Sequence, residues 1–290
     1  MMPVVRVQHL SKNYSGRQSG QGEALNDISF QLESGQVLGL LGHNGAGKST
    51  LIKSLLGAQR YQGEIEINGY EPLSQRAQLM KGVACISDVS VLPDWMRVEQ
   101  LLEYIAGVHP KFDSLQAQQF LAKTDITLAS KVGRLSKGMK VQLHLAVVIA
   151  TDVNVLILDE PTLGLDLVYR DTFYRHLLQW LEEGERTLIV ASHEVQEIEH
   201  LLTDVLILKQ GNAVWQSAVD DIQHSLFVLD ASDEHKAELL ACQPLYVEQG
   251  LGSSKWLLKR SYLEQVSSLG RVLPAGLTEL FLALQKGAVS

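Results

Sequence analysis

A chain of 290 residues with 46% hydrophobic and 20% charged residues has ordinary globular composition. It is long enough for one large α/β domain with a small appendage, or for two modest domains. Its formal net charge of −8 excludes a dedicated nucleic-acid binder, whose phosphate contacts demand a surplus of Lys and Arg, but leaves room for a local basic site.

Two cysteines, Cys85 and Cys242, each without a cysteine nearby, exclude a zinc cluster and fit a reducing compartment. Met1–Leu10 lacks the apolar stretch of a secretory signal, and no run approaches the ~20 apolar residues of a spanning helix. A soluble chain is expected, with any membrane role exercised through a partner.

In chain order, Val4–Val7 and Ile28–Leu32 carry strand patterning, the second alternating Ile28, Phe30 and Leu32 with polar neighbours. After Gly35 the run Val37–Leu41 is continuously apolar, as in a central strand covered on both faces. A glycine-rich turn and the helical spacing of Lys48–Leu56 follow. Strands are predicted at Glu64–Ile67, Val83–Ser87, Val155–Leu158, Thr187–Ala191 and Val205–Leu208, with helices between several of them. That alternation gives a mostly parallel sheet with helices packed on it. From Val91 to about Ala150 the pattern offers helices and no strand, and its first part reads as a helical insertion. From about Asp221, short strands at Leu226–Leu229, Leu245–Glu248 and Lys255–Lys259 and helices at Asp233–Leu240 and Leu277–Gln285 predict a small separate domain.

The turn Gly42-His43-Asn44-Gly45-Ala46-Gly47-Lys48-Ser49-Thr50 fits G-x-x-x-x-G-K-[ST] completely and sits between a buried strand and a helix. Glycines let backbone N–H groups turn toward phosphates without Cβ clashes, and the positive end of the helix adds to the anion site. Lys48 reaches β- and γ-phosphates in such a loop, and Ser49 offers its hydroxyl to magnesium. Further along, the apolar strand Val155–Leu158 ends in Asp159 and Glu160. In company with a phosphate loop, Asp159 suits a magnesium held through water and Glu160 suits a base that polarises the attacking water.

Leu135-Ser136-Lys137-Gly138-Met139 resembles the signature motif of ABC ATPases, usually L-S-G-G-Q, at its usual place upstream of the acidic strand. Lys137 and Met139 depart from the common form, whereas Ser136 and Gly138, the positions that matter most for phosphate contact, are kept. Ser136 also suits a helix N-cap. The resemblance covers about residues 3–220 and brings further residues with it. Tyr14 matches the aromatic that stacks on adenine, or packs beside the first strand. Asp166, in Leu163-Gly164-Leu165-Asp166, matches the dimer-contact loop and also suits a helix cap. His193, in Ala191-Ser192-His193-Glu194, matches the switch histidine at the γ-phosphate. Where the family commonly has glutamine after the strand leading into the helical insertion, this chain has Asp88, either a nucleotide and magnesium contact or a turn cap.

The resemblance implies a P-loop NTPase fold of the ABC type, with an N-terminal antiparallel β portion and an inserted helical subdomain at about 89–140. The nucleotide-binding domain would span 1–220 and a small α+β accessory domain 221–290. It implies ATP and Mg2+ as cofactors and a head-to-tail dimer, since one chain supplies a single phosphate loop and a single signature. The implied partner is a separate integral membrane permease, served at the cytoplasmic face of the membrane, with export favoured by the single core and the C-terminal extension. Val91–Met96 falls where the family forms a groove for a short permease helix, although Trp95 and Met96 also suit a core. A soluble ABC ATPase of DNA repair, translation or iron–sulfur assembly is the alternative. It is opposed by the lack of a heptad tract or a second core. A GTPase is opposed by the lack of an N-K-x-D element.

Overall fold

A computed structural model describes residues 3–14, 24–87, 92–182 and 184–286. It divides into two compact units, one of Met1–Val37 and Ser49–Ala191, the other of Leu38–Lys48 and Ser192–Ser290. The strands in chain order begin with β1 (Val5–Lys12), β2 (Leu25–Leu32), β3 (Val37–Leu41) and β4 (Gln62–Ile67). β5 (Val83–Ser87), β6 (Val155–Asp159), β7 (Thr187–Ser192), β8 (Asp204–Lys209) and β9 (Asn212–Ala218) follow. The last are β10 (Leu226–Ser232), β11 (Tyr246–Gln249), β12 (Ser253–Lys259) and β13 (Gly270–Pro274). The helices that matter below are α1 (Lys48–Leu55), α2 (Val98–Val108), α3 (Ser114–Leu121), α4 (Lys137–Ala150), α5 (Leu167–Glu182) and α6 (Leu277–Lys286).

In the first unit, β1 lies between β2 and β4 and is antiparallel to both, pairing Val5 with Leu32 and Ile67 and Val7 with Phe30 and Ile65. One face of this antiparallel portion is therefore apolar and buried. The parallel portion runs β5-β6-β7 in a register that matches Val83, Val155 and Thr187 at one end. At the other end it matches Ser87, Asp159 and Ala191. β6 has a neighbour on each side, so its apolar run Val155–Leu158 is wholly buried and only Asp159 reaches partial exposure. α2, α3 and α4 occupy the stretch expected to be helical. α4 buries Val141, Leu143, Leu145 and Ala146, and α5 buries Phe173, Tyr174, Leu177 and Trp180.

In the second unit β3 is parallel to β8, with Leu38 opposite Asp204 and Leu41 opposite Ile207. β8 turns back antiparallel into β9. The second sheet of this unit is antiparallel in the order β11-β12-β10-β13. Phe227, Leu229, Trp256 and Leu258 of that sheet pack with Leu239, Cys242 and Val266 as its core. Parallel pairing of β5, β6 and β7 and of β3 with β8 makes this the mixed α/β fold that the sequence predicts.

Two strands escape that prediction. β9 is half-exposed along its length and has no apolar face to betray it; the turn Gln210-Gly211, both at positive φ (51° and 80°), folds it onto β8. β13 is an edge strand framed by Gly270 and Pro274, residue types that argue against a strand in sequence.

Candidate active site

The phosphate loop leaves the buried end of β3 and enters α1. Gly42, Gly45 and Gly47 all have positive φ, at 157°, 83° and 116°. Gly42 has a second reason to be glycine, since an added Cβ would fall 2.6 Å from the carbonyl oxygen of Leu208 and 2.8 Å from the Cβ of Ala46. The loop is pinned by Ala46 N donating to His43 O at 3.0 Å and by Gly211 N donating to Ala46 O at 2.9 Å. Asn44 and Gly45 are exposed, while Lys48 is only 6% exposed. The Lys48 Nζ donates to Gly42 O at 2.5 Å, so its ammonium closes the loop instead of extending into solvent. A buried cation in a glycine-rich turn at the start of a helix suits a polyanion. His193 belongs to the same unit. It stands half-buried just past β7 with Nε2 3.8 Å from Glu194 Oε1.

The first unit holds the carboxylates. Asp159 ends β6 level with Ser87, and Ser49 Oγ donates to Asp159 Oδ1 at 3.5 Å. Thr50, the next residue of α1, is half-buried, and its carbonyl accepts from Gln59 Nε2 at 2.8 Å. Burial, and then the negative charge of Asp159, push the Cys85 thiol up to about 12, which keeps it protonated and out of nucleophilic chemistry. Glu160 departs from the strand sharply: its φ is +51°, and its N–H donates to Ala191 O at 3.0 Å. A non-glycine residue held in the left-handed region costs roughly 1 kcal/mol or more, and such residues gather at functional sites. Ser49 and Asp159 supply hard oxygen donors, the chemistry magnesium selects. Magnesium commonly takes only one or two protein carboxylates beside the substrate's phosphates.

The signature segment is also in the first unit. Ser136 caps α4, its Oγ accepting from Met139 N at 3.2 Å, so the helix-cap reading of this residue holds. Ser136 remains exposed. Lys137, one of the two departures from the family pattern, donates to Leu163 O at 2.5 Å. Asp166 accepts from Val168 N and Tyr169 N, both at 3.0 Å, and so caps α5 as expected. Sequence reasoning missed Tyr169, whose ring fills the space beside Gly138. The glycine itself was the only signal of a close neighbour. Tyr14, 40% exposed, donates to Gln59 Oε1 at 2.6 Å, with the Lys12 Nζ 5.0 Å from its ring centroid. Asp88 lies outside the described residues.

Trp95 is 70% exposed, which removes it from the core. It shares a groove of about 630 Å³ with Arg97, Lys131, Arg134, Leu135 and Met139. Among the described residues no helix is long and apolar enough to cross a membrane.

Comparison with known proteins gives a consistent result. The profile of a family described as ABC transporter matches residues 25–163. An ABC transporter ATP-binding protein of Methanocaldococcus jannaschii is 31% identical over 239 residues, covering 81% of this chain and 86% of that protein. The ABC transporter ATP-binding protein YtrB of Bacillus subtilis is 25% identical over 292 residues, 97% of each chain. The solved structure of an ATP-binding subunit of an ABC transporter aligns with a TM-score of 0.68 at 25% identity, covering 76% of this chain and 92% of its own.

Proposed function

Since this chain belongs to the ABC transporter ATP-binding proteins, subunits that hydrolyse ATP to power transport, we propose that two copies clasp ATP head to tail and drive a separate membrane permease. In this reading Lys48 and the backbone of Gly42–Gly47 hold the phosphates, Ser49 and Asp159 hold magnesium, and Tyr14 stacks on the base. Glu160 polarises the attacking water, and His193 contacts the γ-phosphate. Residues 1–220 form the nucleotide-binding domain, with its helical subdomain at about 89–140, and 221–290 form the accessory domain.

The observation that carries the paired arrangement is the exposed surface at the start of α5. Leu167 and Val168 are 82% and 75% exposed, directly after the capping Asp166, and Ser136 at the start of α4 is exposed as well. Two neighbouring apolar side chains left in water fit a surface covered by a second copy. Paired head to tail, Ser136 of one copy would meet the phosphates held by the loop of the other. Magnesium and ATP should convert the Glu160→Gln protein from monomer to dimer in sedimentation. Ser136→Arg in the same background should block the conversion. An ATP-bound protein that stays monomeric while hydrolysing at full rate would overturn the paired arrangement.

The groove at Trp95 supports the permease as partner: it combines an exposed aromatic anchor with three cationic side chains, suited to a short amphipathic segment. Through that partner the chain would sit at the cytoplasmic face of the membrane, and its charge of −8 leaves nucleic acid out of the account. Export is the direction we favour, on the segment that follows the ATPase core. Co-purification with a substrate-binding protein of the import type would overturn it.

A further inference from the structure

Helix α6 is tied at both ends within the second unit, and at its C-terminal end to the strand that meets the phosphate loop. At its N-terminus the Glu199 carboxylate accepts from Leu277 N at 2.9 Å and from Thr278 Oγ1 at 3.4 Å. A carboxylate there satisfies donors that the helix leaves open and meets the positive end of its dipole. At the C-terminus the Lys209 Nζ donates to the carbonyls of Leu284 and Gln285 at 2.7 and 3.1 Å. Gln285 Nε2 donates to Leu208 O at 3.2 Å. That carbonyl of Leu208 is the group standing where a side chain on Gly42 would have to go. The end of β8 therefore meets both the phosphate loop and the helix. Between the two anchors Phe281, only 6% exposed, presents its ring to His43 with centroids 5.7 Å apart and planes at 58°, a tilted arrangement that aromatic rings favour.

We infer that Phe281 is a positioning residue for nucleotide binding. By backing His43 it holds the phosphate loop in the curled form that receives a triphosphate. The inference rests on reading Gly42–Lys48 as the ATP site. A loop already ordered loses less freedom when its ligand arrives, so the benefit falls on affinity and not on the chemical step. The helix also reaches the accessory sheet, where the Lys286 Nζ lies 5.2 Å from the Tyr246 ring centroid and 3.3 Å from its hydroxyl. Helix α6 thus joins the C-terminal segment to the nucleotide loop.

The test uses the full chain and N-methylanthraniloyl-ATP with magnesium, read by fluorescence titration. His43→Ala and Phe281→Leu should each weaken binding about three- to tenfold, the size expected of one aromatic pair, and in Phe281→Leu kcat at saturating ATP should stay within about twofold of the parent. Phe281→Tyr, which keeps the ring, should restore parental affinity. The double variant His43→Ala/Phe281→Leu should bind no more weakly than the worse single variant, because the two rings act as one unit. His43 is exposed, so its replacement leaves the core intact; unchanged affinity in His43→Ala overturns the inference, as do losses that simply add. Lys48→Ala separates the two levels. If it still binds the probe normally, the loop is not the nucleotide site. If it loses the probe while His43→Ala does not, only the positioning role fails.

Discussion

The ring of Tyr169 stands so close to Gly138 that a Cβ at residue 138 would fall 2.7 Å from the Tyr169 Cγ. The glycine of the signature segment is thus required by its own chain as well as by any nucleotide it meets. Gly138→Ala should force Tyr169 aside and cost about 1–3 kcal/mol, or roughly 2–10 °C in Tm for a domain of this size. Adding Tyr169→Ala should return part of that loss by reopening the space. Equal melting temperatures for Gly138→Ala and the parent would show that the contact is not tight.

Lys48 and Glu160 should separate binding from chemistry. Lys48 is a buried cation inside the phosphate loop, so Lys48→Ala should reduce ATP binding below detection in the titration above. Glu160→Gln preserves shape and removes the base, so binding should persist while turnover falls about 100-fold or more. Normal turnover in Glu160→Gln would take the base role away from this residue.

Much of this was legible in the sequence because the informative signals are local. The apolar runs Val37–Leu41 and Val155–Leu158 show no alternation, and both prove to be buried strands. The glycines of the phosphate loop sit where positive φ demands them. What stayed hidden depends on contacts between distant residues. No local pattern connects Gly138 to Tyr169 or His43 to Phe281. Lys137 looked like a lapse from the usual glycine, yet its long side chain fastens the start of α4 to the Leu163 carbonyl. β9 and β13 were missed for the opposite reason, since strands that are half-exposed or at an edge bury too little to leave a periodic trace.

Trp95 should matter to a partner and hardly at all to the isolated chain. At 70% exposure its truncation removes little buried surface, so Trp95→Ala should shift stability by no more than about 0.5 kcal/mol and leave basal ATPase unchanged. In pull-downs from detergent-solubilised membranes it should lower recovery of the permease. Charge reversal at Arg97, Lys131 or Arg134 should weaken the same capture in a salt-dependent way. A fall in melting temperature with unchanged recovery would place Trp95 in the fold after all.

His144 gives the fold a defined acid sensitivity. Its imidazole lies on α4, and burial pushes its pKa down to about 4 from the ordinary 6.5. As pH falls through 6.5 the unfolded chain takes up a proton that the folded chain still refuses. Stability is therefore lost progressively between about pH 6.5 and 4, and this group adds no further slope below that window. By pH 4.5 its contribution should reach about 2 kcal/mol. Urea unfolding at pH 7, 5.5 and 4.5 measures this directly when the parent is set beside His144→Gln, which carries no titrating group at that position. The carboxylates contribute alike to both proteins, so the difference between the two curves isolates the histidine. The parent should lose stability faster than His144→Gln across the window, and parallel loss in the two would mean that His144 takes up its proton as readily in the folded chain as in the unfolded one.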